Sequence, residues 1–226
     1  MKKVLYIIFL VLFFNNTLSA AEFIYGTPTY WVNLNQNEKD YYAKGVLDAR
    51  GYEIYNQATD KQKDELIAKF RHCIKKNFNN FQNYMYMLGW DGGASSAGEL
   101  MKYVQSSCSL MEENNEYKGI KIQKNKPIQN VTLRDWKRLP KNHKEIYIEG
   151  YIDMAIYSIY NSANQSDAPK DYQEYFKNLL ETVEKCFKNK NMKDLPSFTI
   201  NRFDEFDKHL LLPWNVAISF GKFCKQ

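Results

Sequence analysis

WVNLNQNEKDYYAKGVLDARGYEIYN, residues 31–56, returns as WKRLPKNHKEIYIEGYIDMAIYSIYN at residues 136–161, without a gap and at a constant offset of 105. Eleven of the 26 positions are identical: Trp31/Trp136, Leu34/Leu139, Asn37/Asn142, Lys39/Lys144, Tyr42/Tyr147, Gly45/Gly150, Asp48/Asp153, Tyr52/Tyr157, Ile54/Ile159, Tyr55/Tyr160 and Asn56/Asn161. Such agreement reads as a duplicated unit. It speaks to architecture, and no reaction can be read from it.

At 100° per residue, Tyr42, Gly45, Asp48, Tyr52, Tyr55 and Asn56 fall within an arc of about 140°, the width of a core-facing stripe on an amphipathic helix. Asp40, Lys44, Arg50 and Glu53 lie outside it, which predicts one buried and one wet face. Lys39 and Ile54 do not fit the stripe. Asn35 followed by Glu38 has the spacing of a capping box, and Pro140 replaces Asn35 in the second copy, as suits a helix start. Glycine inside a helix costs roughly 1 kcal/mol against alanine. Gly45 and Gly150 therefore imply close approach of another backbone or a large ring, with Trp31 and Trp136 the leading candidates. Asp48 and Asp153 face the predicted core, where a carboxylate needs donors. Two readings follow: each Asp is bonded to backbone amides, a tyrosine hydroxyl or an indole N–H within its own unit, or the two form an acid/base pair in a cleft.

Residues 1–20 read as a secretory signal peptide, with Lys2 and Lys3 before an apolar run over residues 4–14 and small residues around Ser19-Ala20. That run is too short to span a bilayer. Export makes disulfides the expected state of Cys73, Cys108, Cys186 and Cys224. Four cysteines allow three pairings, and the repeat chooses among them. One Cys follows the matched asparagine by 17 or 25 residues, and a second follows 35 or 38 residues later. Cys73 is therefore expected to pair with Cys108 and Cys186 with Cys224. No C-x-x-C spacing occurs and His72, His143 and His209 are scattered, so no metal and no cofactor is expected. The net charge of +5 becomes +3 without Lys2 and Lys3, which points to neither nucleic acid nor an anionic surface.

A second helix is predicted over residues 60–78, with Leu66, Ile67, Phe70, Cys73 and Ile74 on one face, and its counterpart over residues 170–188 carries Leu179, Leu180, Val183, Cys186 and Phe187. The copies then diverge. The first has an aromatic, glycine-rich loop over residues 84–98 before a short helix to Cys108. The second has Leu195-Pro196-Ser197, a charged helical stretch over residues 203–209 and a last helix, opened by Leu211 to Trp214, that runs to Cys224. The glycines are not a phosphate loop, because Gly93 and Gly98 lack the Lys and hydroxyl residue that would follow, and Ser95 does not sit in a G-x-S-x-G elbow. Tyr84, Tyr86, Trp90 and Asp91 are the candidate interaction loop, since large rings anchor interfaces efficiently.

The combination of a cleaved signal, Tyr-x-x-Gly-x-x-Asp on a helix (Tyr42, Gly45, Asp48; Tyr147, Gly150, Asp153) and one cysteine pair per unit resembles the small all-helical periplasmic immunity proteins that protect against type VI secretion amidase effectors. The resemblance implies a helical exported protein that acts by binding another protein. The Trp-x-x-Leu lead-in and the tandem duplication depart from that family's pattern, and no inhibitory-surface residue carries over.

The expectation is thus an all-α protein of two pseudo-repeated, disulfide-stapled helical units: signal peptide 1–20, unit one 21–110, linker 111–135, unit two 136–226. Its expected role is that of a non-enzymatic binding protein of the bacterial periplasm or exterior, with a protein as partner and no membrane span in the mature chain. One alternative is a cell-wall or glycan hydrolase using Asp48 and Asp153, with Glu99 a third carboxylate. Another is a carrier with a small ligand between the units.

Overall fold

A computed structural model describes residues 25–57, 60–87, 96–113 and 130–225. The predicted signal peptide and the predicted loop at Trp90 and Asp91 lie outside the described residues, as does most of the predicted linker. The described chain is all-α, with no strand. Its helices are α1 (Pro28–Asn33), α2 (Gln36–Gln57), α3 (Asp60–Met87), α4 (Ser96–Glu113), α5 (Leu133–Arg138), α6 (Lys141–Ala163), α7 (Lys170–Asn189), α8 (Leu195–Asn201) and α9 (Leu212–Lys225).

The quoted stretch forms a short helix and a long one in each half: α1 then α2, and α5 then α6. Thr27 caps α1, accepting from the Tyr30 amide at 3.2 Å. Thr132 caps α5 in a full capping box with Asp135. The predicted box at α2 is present, with the Glu38 amide donating to Asn35 Oδ1 at 3.1 Å and the Asn35 amide to Glu38 Oε2 at 2.9 Å. Pro140 sits just before the first residue of α6.

Among the described residues the most extensive contact is α2 against α6, so the two copies of the repeat are each other's principal neighbour. This corrects two expectations. The helices do not have one wet face: residues 45–49 and 150–154 are buried without interruption, because each helix is covered on every side through its middle. The partner that demands Gly45 and Gly150 is not a tryptophan but the opposite helix's backbone. A Cβ on Gly45 would lie inside contact distance of the Tyr147 carbonyl and 2.8 Å from the Tyr151 nitrogen. One on Gly150 would collide with the Tyr42 carbonyl, 2.9 Å from its carbon. Glycine removes the Cβ that would hold the two backbones apart.

Each tryptophan packs instead on the long helix of its own copy. Trp31 meets Tyr42 edge-on at 5.7 Å, and Trp136 meets Tyr147 at 5.8 Å. Lys39 and Lys144, which the helical stripe left unexplained, lie over those same indoles at 5.3 and 5.7 Å, a cation–π arrangement.

Around the central pair, α3 and α4 are joined by Cys73–Cys108, and α7 and α9 by Cys186–Cys224, the pairing the spacing predicts. Loops of 35 and 38 residues make each bridge worth roughly 3–4 kcal/mol in the chain-entropy model. The outer helices also cross over, since α4 packs on α6 and α9 on α2. One continuous apolar cluster accordingly includes residues of both halves.

Several boundaries differ from expectation. α3 continues to Met87, taking in Tyr84 and Tyr86 rather than leaving them in a loop. The charged stretch at residues 203–209 makes only the 3-10 turn Phe203–Glu205. The end of the predicted linker belongs to the second unit's lead-in, where Asn130 and Val131 are fixed by hydrogen bonds. Among the described residues no helix is long and apolar enough to cross a membrane.

Candidate functional site

Asp48 and Asp153 are both wholly buried. Their donors come from the opposite half in each case, not from within one unit as expected. Asp48, on α2, accepts from the Asn130 amide at 2.5 Å, the Asn130 side chain at 2.8 Å, the Val131 amide at 3.1 Å and the Tyr147 hydroxyl at 2.8 Å. Asp153, on α6, accepts from the Gly26 amide at 2.6 Å, the Tyr42 hydroxyl at 2.7 Å and, more weakly, the Tyr25 amide at 3.4 Å. The repeat's offset relates Tyr25 to Asn130, Gly26 to Val131 and Tyr42 to Tyr147. Each carboxylate thus grips the lead-in and the tyrosine of the other copy, and the exchange is reciprocal.

Burial pushes both carboxyls up to about 7, against the lowering effect of these hydrogen bonds. For Asp153, nearby Glu149 pushes in the same direction as burial. Burial first, and the adjacent carboxylate second, hold the Tyr42 and Tyr147 hydroxyls well above their ordinary value, so both remain donors. Glu149 is itself pushed up to about 7 by burial and by Glu145 and Glu38, while its hydrogen bond from the Tyr30 hydroxyl works the other way.

Chemically, this arrangement is a pair of latches. Acid/base work requires a carboxyl within reach of substrate, and both aspartates are fully enclosed, 0 % exposed. Glu99, the third carboxylate considered, sits in the first turn of α4 and pairs with Lys102 at 2.7 Å. Among the described residues no group of His, Cys, Asp and Glu could hold a metal ion. Of the interaction-loop residues, Tyr84 and Tyr86 fall at the end of α3, and Trp90 and Asp91 lie outside the described residues.

Sequence reasoning missed Gly26. A Cβ there would strike the Tyr42 hydroxyl and come within 2.8 Å of Asp153 Oδ2, so the amide can approach the carboxylate only as glycine. The available signal was the Thr27/Thr132 match four residues upstream of the quoted stretch, which brings the repeat to the residue next to Gly26 and Val131.

A groove of about 370 Å³ lies between the halves, away from the latches. Arg50 and Glu53 of α2 and Gln105 of α4 line one side, and Met154, Tyr157 and Ser158 of α6 with Tyr172 of α7 line the other. Arg50 and Glu53 form an ion pair at 2.6 Å, and the same glutamate accepts from the Ser158 hydroxyl at 2.6 Å. Glu53 and Ser158 are the same position of the two copies.

No family model matches the chain, and neither a curated protein nor a solved structure matches it.

Proposed function

We propose that the chain is an exported, non-enzymatic binding protein, of the inhibitor or immunity kind, that works outside the cytoplasm on a protein partner. The observation that carries this reading is the use of the repeat's two carboxylates as latches. The most chemically capable groups of the duplicated unit hold the halves together, and what they hold is a stapled helical scaffold. Two disulfides suit an oxidising compartment, and the leading apolar run after Lys2 and Lys3 suits export. The partner surface is the aromatic segment around Tyr84, Tyr86, Trp90 and Asp91, where the two copies differ most and where large rings are efficient anchors.

Affinity capture from the native host with the wild-type protein and with a Trp90→Ala, Tyr86→Ala variant tests the reading. A partner that is retained by the first and lost from the second, with both folded by circular dichroism, supports it. Recovery of no partner under gentle conditions, or equal recovery by both, contradicts it.

A further inference from the structure

The groove between the halves is where the pseudo-symmetry breaks. Tyr52 and Tyr55 of α2 are covered by Trp214, which meets them at 6.0 and 5.8 Å. Tyr157, the counterpart of Tyr52, lines the groove instead. When the two bridged helices are aligned on Cys108 and Cys224, the position of Trp214 in α9 is held by Gly98 in α4. One copy supplies an indole to close its side of the central helices. The other has no indole at the aligned position, and Gln105, Tyr157 and Tyr172 line the groove.

The lining restricts what can fill the groove. An apolar ligand would call for predominantly hydrophobic walls, yet Met154 on the floor is the single aliphatic lining residue. A charged ligand would need an uncompensated charge, but the ionisable side chains that could meet it, Arg50 and Glu53, neutralise each other at 2.6 Å. The rest are hydroxyls, carboxamides and two phenol rings. Ser162 is buried and accepts from the Tyr172 hydroxyl at 3.3 Å, which fixes one wall. Asn161, Gln165 and Gln105 stand exposed at the rim. Carboxamides both donate and accept, as do sugar hydroxyls, and a ring face suits the C–H face of a pyranose. A volume of about 370 Å³ lies within the roughly 300–1,000 Å³ of small-molecule sites.

We infer that this groove is a binding site for an uncharged saccharide, a mono- or disaccharide or the end of a glycan chain. Tyr157 and Tyr172 would form its walls, and Asn161, Gln165 and Gln105 would supply the hydrogen bonds that orient it. The site is distinct from the partner surface proposed above and stands or falls separately from it.

Titration of the full chain with chitobiose, cellobiose and maltose, followed by amide and side-chain carboxamide NMR shifts, tests the inference. At least one sugar is expected to give saturable shifts, in roughly the millimolar range of a small neutral ligand, centred on Asn161, Gln165 and Gln105. Asn161→Ala, a change at an exposed position that leaves the core intact, is expected to weaken that sugar about tenfold or more, equivalent to about 1.4 kcal/mol. Val32→Ala, at an exposed position of α1 outside the groove's lining, leaves the affinity unchanged. Absence of saturable shifts with all three sugars, shifts centred elsewhere, or an Asn161→Ala protein that binds as the wild type does would overturn it.

Discussion

Asp48 and Asp153 occupy the same position of the two copies and are equally buried, yet they are held differently. Asp48 has four donors, two of them from one residue, Asn130. Asp153 has two close donors and a third at 3.4 Å, with Glu149 as an unfavourable neighbour. Their surroundings differ in shape as well. The first lead-in needs Gly26 to bring its amide to Asp153, whereas the second places Val131 at the equivalent point with its side chain in the core. The two matched stretches share the latch and differ in its fittings. The glycine crossing beneath the latches is symmetric by contrast, because two backbones in contact leave no side chain free to vary.

That contrast orders the expected effects. Gly45→Ala and Gly150→Ala should be the most damaging single changes. Helix propensity alone would favour alanine by about 1 kcal/mol, but the new methyl must push the central helices apart, so a loss above roughly 4 kcal/mol, or failure to fold, is expected in urea unfolding. Variants of wild-type stability would show that the crossing is loose.

Removing a latch should come next. Asp48→Ala leaves Asn130, Val131 and Tyr147 without their acceptor and is expected to cost about 3–5 kcal/mol. Asp153→Ala strands fewer close donors and should cost about 1 kcal/mol less. Equal losses, or the reverse order, would show that Asp48 is not the more firmly held of the two. Gly26→Val, which installs the residue of the second copy, should lower stability by a comparable amount through its collision with Tyr42 and Asp153.

The carboxyls also predict a pH dependence. Each has a folded-state value of about 7 against an ordinary 3.8, so the native state keeps a proton that the unfolded chain releases. Their contribution is fully present below the unfolded value and is lost as pH climbs through about 7. The melting temperature should therefore rise as pH is lowered from 8 to 5, and Asp48→Asn should flatten that rise. A melting temperature that falls over the same interval would contradict the assignment.

The smallest contrast is at the caps. Thr132→Ala breaks a reciprocal box and should cost about 1–2 kcal/mol, while Thr27→Ala removes a single hydrogen bond and should cost under about 1 kcal/mol. Thermal melts of the two variants check the order.

What the sequence disclosed follows from which groups do the work. The helices, the cysteine pairing and the burial of Asp48 and Asp153 were legible because side chains carry them. The glycines announced a close approach but could not name the partner, since a carbonyl of Tyr147 or Tyr42 leaves no mark on residue identity. The latch was hidden for the same reason: Gly26, Asn130 and Val131 serve Asp153 and Asp48 largely through backbone N–H groups that almost any residue offers. A stripe drawn from repeated identities also mistook a central helix for a surface one, because Val46, Leu47 and Ala49 are buried without being repeated. The groove was illegible too, because its lining is drawn from α2, α4, α6 and α7, which no single stretch of sequence brings together.

Each half is held shut by the other half's aspartate, and amide hydrogen exchange reads this directly. In Asp48→Asn, exchange at Asn130 and Val131 is expected to accelerate while Gly26 keeps its wild-type protection. Asp153→Asn is expected to do the opposite. Selective loss at Gly26 in Asp48→Asn, or no selective loss at Asn130 and Val131, would contradict the reciprocal latch.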